Sequence, residues 1–187
     1  LFTVTVFFGI LTTFYLGGFR LDRFSGKVAL FTIAGAFAIS ALFGLFLRRG
    51  KHLVTVARAQ LITDPLLWTV IVYISGGASS GATSLYGLSC LAGAVDLGRE
   101  GALIAALSSA ICYALLCSAF MAGFISYPPD QSAAAYATAW QDMRYPFFVN
   151  LLAIFVVTLL ASYLAERLRL TGGRLEMATA RAEQAER

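Results

Sequence analysis

Phe147–Leu164, FFVNLLAIFVVTLLASYL, passes without a break into Ala165–Arg187, AERLRLTGGRLEMATARAEQAER. The first part is long enough to cross most of a bilayer, a task that takes about 20 apolar residues. The second is charged and Ala-rich. One seam at alternating four and three spacing runs through both: Asn150, Ile154, Val157, Ala161, Leu164, Leu168, Thr171, Leu175, Ala178, Ala182 and Ala185. That is the a/d spacing of a coiled coil. A membrane helix that leaves the bilayer as a dimeric coiled coil can pass a conformational change to whatever follows it, here expected beyond Arg187. Thr171, Gly172 and Gly173 interrupt the seam. Each Gly costs roughly 1 kcal/mol of helix stability relative to Ala, and the Ala positions after Leu175 bury little area. The coiled coil is therefore expected to be marginal, so that a small signal can shift it between two states.

Composition places the rest of the chain in the same solvent. Of 187 residues, 59% are hydrophobic and 13% charged, and the mean hydropathy is +0.77. A soluble domain carries about 25% charged residues, so this is an integral membrane protein. The net charge of +4 speaks to topology, not to nucleic acid, because no basic cluster is interleaved with exposed aromatics. Cys90, Cys112 and Cys117 all lie in apolar runs without a CxxC pair, which gives small buried hydrophobes and no metal site. The opening LFTVTVFFGI lacks an initiator Met and a basic leader, and reads as a truncated start, not as a signal peptide.

Six spans are expected: about Leu1–Gly17, Val28–Leu47, Leu53–Ile74, about Ser79–Leu97, Ala102–Ser126 and Phe147–Leu164. The fold class is thus an all-α membrane protein, a six-helix transmembrane bundle over residues 1–165. The last helix extends into a cytoplasmic coiled coil over residues 166–187. The fourth span is weak, since its clean apolar part, Leu85–Val95, is too short. The upstream SGGASSGATS is then drawn to membrane depth, where exposed loop backbone is costly, and must be covered by helices or line a wet cavity. With both termini cytoplasmic, ten Lys and Arg residues lie inside and four outside, as the positive-inside rule asks. The first loop, GGFRLDRFSGK, runs against that rule. Pro128 and Pro129 are expected to end the fifth helix, and Ala133–Trp140 to form a short interfacial helix.

Polar residues in the third span carry the chemistry. Gln60 and Asp64 are four apart and share a face, and Pro65 removes a backbone hydrogen bond and should kink the helix. An ionisable residue at that depth is costly and marks a functional site by default. Capping of a helix beginning at Pro65, a buried polar pairing, ligand sensing and proton transfer are the alternatives. In the outer loop, Ser75, Gly76, Gly77, Ser79 and Ser80 are turn-forming residues that can frame a recessed pocket. No GK[ST] follows to make a phosphate loop. In the fifth span Ala106, Ala110, Ala114 and Ser118 belong to a small-residue ridge that begins at Ala102 and lets two helices approach closely. His52, in RRGKH, is a surface residue, and Asp96 is an interfacial one. No catalytic set is present, so this chain is expected to have no activity and no cofactor of its own.

Asp64, the S-G-G-x-x-S loop followed by Leu85-Tyr86, the Leu97-Gly98-Arg99-Glu100-Gly101 turn and Tyr163-Leu164-Ala165-Glu166-Arg167-Leu168-Arg169 together resemble one family. They are similar to the six-span sensor region of PilS-type histidine kinases, two-component sensors linked to type IV pilus expression. Gly81 stands where that family usually has Pro. The resemblance implies a dimeric sensor of the bacterial inner membrane with Leu164, Leu168, Gly172, Gly173 and Leu175 on its signal helix. It implies a further kinase domain using ATP and Mg, a response regulator reached only through that domain, and pilin, met helix to helix in the bilayer, as the signal. A small transporter or channel built around Asp64, and a scaffold that carries no signal, are the competing classes.

Overall fold

The apolar runs become helices because an unpaired backbone N–H or C=O is untenable in hydrocarbon. A computed structural model describes residues 23–48 and 53–185, in which five α-helices follow one another. They are α1 (Phe24–Arg48), α2 (Leu53–Ile74), α3 (Leu85–Leu97), α4 (Arg99–Met121) and α5 (Trp140–Ala185). Two short 3-10 turns, Gly77–Ser79 and Gly81–Ser84, lead into α3, and a third, Ala133–Ala135, lies before α5. The first expected span and His52 fall outside the described residues. Within the described residues α1, α4 and α5 contain stretches long and apolar enough to cross a membrane: Phe24–Phe46, Arg99–Met121 and Trp140–Thr171.

The hub is α3. It has 13 residues, about 20 Å of helix, too short for a hydrocarbon core of about 30 Å. It packs against α2, α4 and α5, and its Tyr86, Gly87, Ser89, Cys90, Gly93 and Ala94 are buried. Two of its polar groups are satisfied by α2: Trp68 Nε1 donates to Ser89 Oγ at 2.9 Å, and Thr69 Oγ1 lies 2.8 Å from Tyr86 Oη. α1 packs chiefly on α2 among the described residues. Phe31, Leu107, Leu115, Phe155 and other large apolar side chains face outward, as lipid-facing residues do.

Several helix ends differ from the sequence expectation. α4 stops at Met121, well before Pro128. Gly123 takes a φ of +71°, its N–H donates to Phe120 O at 3.1 Å, and Phe124 N–H donates to Ala119 O at 3.0 Å. That is a Schellman end, in which a glycine accepts the left-handed conformation at little cost. α5 begins at Trp140 and runs through Pro146, with Asp142 in its first turn facing the helix dipole favourably. Of the expected interfacial helix Ala133–Trp140, Ala133–Ala135 form a single 3-10 turn and Trp140 is already the first residue of α5. The backbone of α5 continues through Gly172 and Gly173 to Ala185.

Candidate functional site

The segment Ser75–Ser84 returns the chain from the end of α2 into the bundle. Gly76 (φ +129°) and Gly77 (φ +59°) make the reversal, in conformations that side chains disfavour. Gly77 also lies between two rings: a Cβ there would stand 3.1 Å from both Phe120 Cε2 and Tyr136 Cδ1. Ser75 Oγ and Ser80 Oγ are 2.6 Å apart, and Ser80 Oγ accepts the Ala82 N–H at 3.0 Å. Gly77, Ala78, Ser80 and Thr83 are buried, while Ser79 and Gly81 are exposed. The loop is therefore a packed plug with an exposed apex, covered by neighbouring helices. Gly76, Gly77, Ser75 and Ser80 serve its own geometry.

Asn150 of α5 holds this plug. Its Nδ2 donates to Ala78 O at 3.2 Å and to Tyr113 Oη at 3.0 Å, and its Oδ1 lies 2.9 Å from Thr83 Oγ1. Tyr113 of α4 is fully buried and donates to the same Ala78 carbonyl at 3.1 Å. One amide thus joins α5 to the plug and to α4, and leaves no polar group of the trio unpaired, as a buried network requires.

Residues of the 127–137 loop cover the plug. Tyr136 donates to Tyr73 O at 2.7 Å and packs against Phe120. Burial pushes the Tyr136 hydroxyl up to about 12, so it stays a donor at neutral pH. Asp130 accepts from Ser25 N at 2.9 Å and Ser25 Oγ at 2.7 Å, at the start of α1. Desolvation works against its charge, but the Ser25 bonds and the Arg23 cation outweigh it and hold the carboxyl below the usual 3.8. Ser25, the plug and the 127–137 loop therefore share one end of the bundle. Arg58 and Glu100 form an ion pair at the other; both are exposed, and such pairs contribute little.

Asp64 is 9% exposed and makes no hydrogen bond or ion pair among the described residues. α2 is continuous through Pro65, so no helix starts there for Asp64 to cap. Pro65 lacks the N–H that would bond Leu61 O, and Ser108 Oγ of α4 lies 3.2 Å from that carbonyl. Ser108 Oγ is also 3.0 Å from Ala105 O, so its one proton is shared. Asp96 of α3 lies within electrostatic reach of Asp64. Gln60, half-buried, faces no partner among the described residues.

The small-residue ridge winds off the packed face. Ala102 is buried, Ala106, Ala110 and Ala114 are half-buried, and Ser118 is exposed. A four-residue step turns about 40° beyond a full helical turn, so four steps carry the ridge round by about 160°. The line actually buried is Ala102, Ala105, Ser109, Cys112, Leu116 and Phe120. A close helix approach lies elsewhere, between Gly93 of α3 and Gly101 of α4. A Cβ on Gly101 would collide with the Gly93 carbonyl, and one on Gly93 would stand 2.7 Å from the Gly101 carbonyl carbon. Beside it Ala94, Ala102 and Ala161 pack as one cluster. The signal available in the sequence was a glycine four residues to either side of Leu97, at the turn.

On α5 the heptad seam divides. Ile154 and Ala161 are buried and Asn150 and Val157 half-buried within this chain, whereas Leu164, Leu168 and Thr171 are exposed. For Gly172, Gly173 and Leu175 only the helical backbone is described. Residues 1–174 match the family model described as the PilS-like transmembrane domain, and the chain belongs to that family. No curated protein and no solved structure gives a significant match.

Proposed function

We propose that this domain is the sensor region of a two-component histidine kinase. It takes a signal at the plug or within the bilayer and passes it along α5 to a kinase domain. The family match supports a membrane sensor region. The observation that carries the mechanism is the Asn150 amide, which bonds the plug and Tyr113 from one helix running unbroken from Trp140 to Ala185. A ligand or a partner helix that disturbs Ala78 or Thr83 must lengthen a bond to α5 or turn that helix with it. Control of type IV pilus genes, pilin as the signal, six spans with both termini cytoplasmic in the bacterial inner membrane, and a homodimer through the cytoplasmic seam complete the reading.

The test is Asn150→Leu in the full-length kinase. It removes the amide while keeping side-chain size, so the protein should insert at normal level and lose its response to signal. Tyr113→Phe, which deletes one hydroxyl, should weaken the response less. A normal response from Asn150→Leu at equal membrane level would refute the route through α5.

A further inference from the structure

At the end of the bundle opposite the plug, α3 and α5 diverge and leave a groove of about 490 Å³. That is within the roughly 300–1,000 Å³ of small-ligand sites. Leu91 and Val95 of α3 and Leu164 and Leu168 of α5 line it with hydrocarbon, and Asp96 and Arg169 add one charge of each sign. Both charged residues are exposed, and neither makes a hydrogen bond or ion pair among the described residues. Arg169 lies over the α3–α4 turn: its Nη1 stands 3.0 Å from where a Cβ on Gly98 would be. The groove lies where the apolar run of α5 gives way to Glu166, Arg167 and Arg169. That is the depth at which a bilayer presents headgroups and the first methylenes of its chains.

We propose that this groove binds one zwitterionic aminophospholipid. Its phosphate sits on the Arg169 guanidinium, which offers a fork of donors suited to phosphate. Its ammonium sits on the Asp96 carboxylate, and one acyl chain lies along Leu91, Val95, Leu164 and Leu168. The pair of opposite charges selects the headgroup. An anionic phospholipid such as phosphatidylglycerol satisfies Arg169 but brings no cation to Asp96 and leaves that carboxylate uncompensated. A choline phospholipid supplies the phosphate but has no N–H to donate to the carboxylate. Leu164 and Leu168 also belong to the heptad seam, so a bound lipid competes with pairing of two chains there. That consequence rests on the proposed function, whereas the binding does not.

Native mass spectrometry of the full chain, released from nanodiscs of defined composition, reads the binding directly. The wild type should retain phosphatidylethanolamine at least threefold over phosphatidylglycerol and phosphatidylcholine. Arg169→Gln should lower retention of all three at least fivefold, and Asp96→Asn should abolish the preference for the amine. Both side chains are exposed, so the variants keep the fold. Equal retention of the three lipids by the wild type, or retention unchanged in Arg169→Gln, overturns the proposal. So does efficient crosslinking of Leu168→Cys to a second copy irrespective of phosphatidylethanolamine, which would make the groove a seat for protein.

Discussion

Gly93→Ala and Gly35→Ala are the same chemical change in two helices, and the structure gives them opposite signs. At Gly93 the added Cβ would stand 2.7 Å from the Gly101 carbonyl carbon and 3.1 Å from Ala102 N. Carbon contacts settle near 3.5–4.0 Å, so α3 and α4 must part by roughly 1 Å. The obstacle is backbone and cannot swing aside as a side chain could. Overpacking costs about 1–3 kcal/mol, and this site belongs at the upper end because parting the helices also loosens the Ala94–Ala102–Ala161 cluster. Replacing a helical Gly returns about 1 kcal/mol of helix propensity, which leaves a net loss of about 1–2 kcal/mol. At Gly35 a Cβ meets nothing within 4 Å, so the propensity acts alone and the variant should gain up to about 1 kcal/mol. Reversible unfolding by SDS in mixed micelles measures both on one scale. A Gly93→Ala protein as stable as wild type, or a Gly35→Ala protein that loses as much as Gly93→Ala, would refute the close crossing of α3 and α4.

Asp64→Asn and Asp64→Leu should each change kinase output, Leu more strongly. Asp64→Leu should not lower the melting temperature, because burying an unpartnered polar group costs about 1–3 kcal/mol that an apolar side chain relieves, and Asp64→Asn, which keeps a polar amide and removes only the ionisable carboxyl, should leave it close to wild type; a clear loss of stability in both would reveal a partner for the carboxyl. Gly172→Ala with Gly173→Ala should stiffen α5 by about 2 kcal/mol in helix propensity and lock output high or low, whereas an unchanged signal response would show that output does not travel through this helix. Single cysteines at Ser79 and Gln131, in a background free of Cys90, Cys112 and Cys117, should both react with an impermeant thiol reagent from outside intact cells; labelling of either only after membrane disruption would overturn the assigned orientation.

The helices were legible because hydrophobic length decides them. The residues that position them were legible only in part. Asp64 and Pro65 stood out as intruders in an apolar run, and α2 does carry them, yet the sequence could not say that the helix continues through Pro65. The carbonyl that Pro65 leaves without an N–H, Leu61 O, meets the hydroxyl of Ser108, 47 residues later in the chain, a contact that sequence spacing does not reveal. The end of α4 was misplaced because two prolines are louder than one glycine. Gly123 terminates the helix by closing two hydrogen bonds, whereas Pro128 and Pro129 only forbid a helix that has already stopped. Alanines four apart do not stay on one face, because a helix repeats every 3.6 residues. Over Ala102 to Ser118 the difference carries the ridge from the packed face to the outside.

The divided seam of α5 explains why a single heptad pattern can serve two purposes. Above Ala161 its positions are spent inside the chain: Asn150 on the plug, Ile154 in the core, Ala161 on Ala94 and Ala102. Below Ala161 the same stripe, at Leu164 and Leu168, is exposed and available to a second chain or to a lipid. Because both halves lie on one stripe of one helix, any rotation that eases Asn150 away from Ala78 turns Leu164 and Leu168 by the same angle. A helix turns about 100° per residue, so a rotation of a few tens of degrees is enough to move a leucine from the centre of a paired face to its edge. The interaction lost at the upper end is a set of hydrogen bonds worth about 1 kcal/mol each. In the proposed dimer the interaction below would be the alanine-rich seam, whose small side chains bury little area. Under the proposed function, two small energies on one helix would let a weak event at the plug tip the seam, and Leu in place of Ala178, Ala182 and Ala185 should then abolish the signal response; a normal response from that triple variant would refute the coupling.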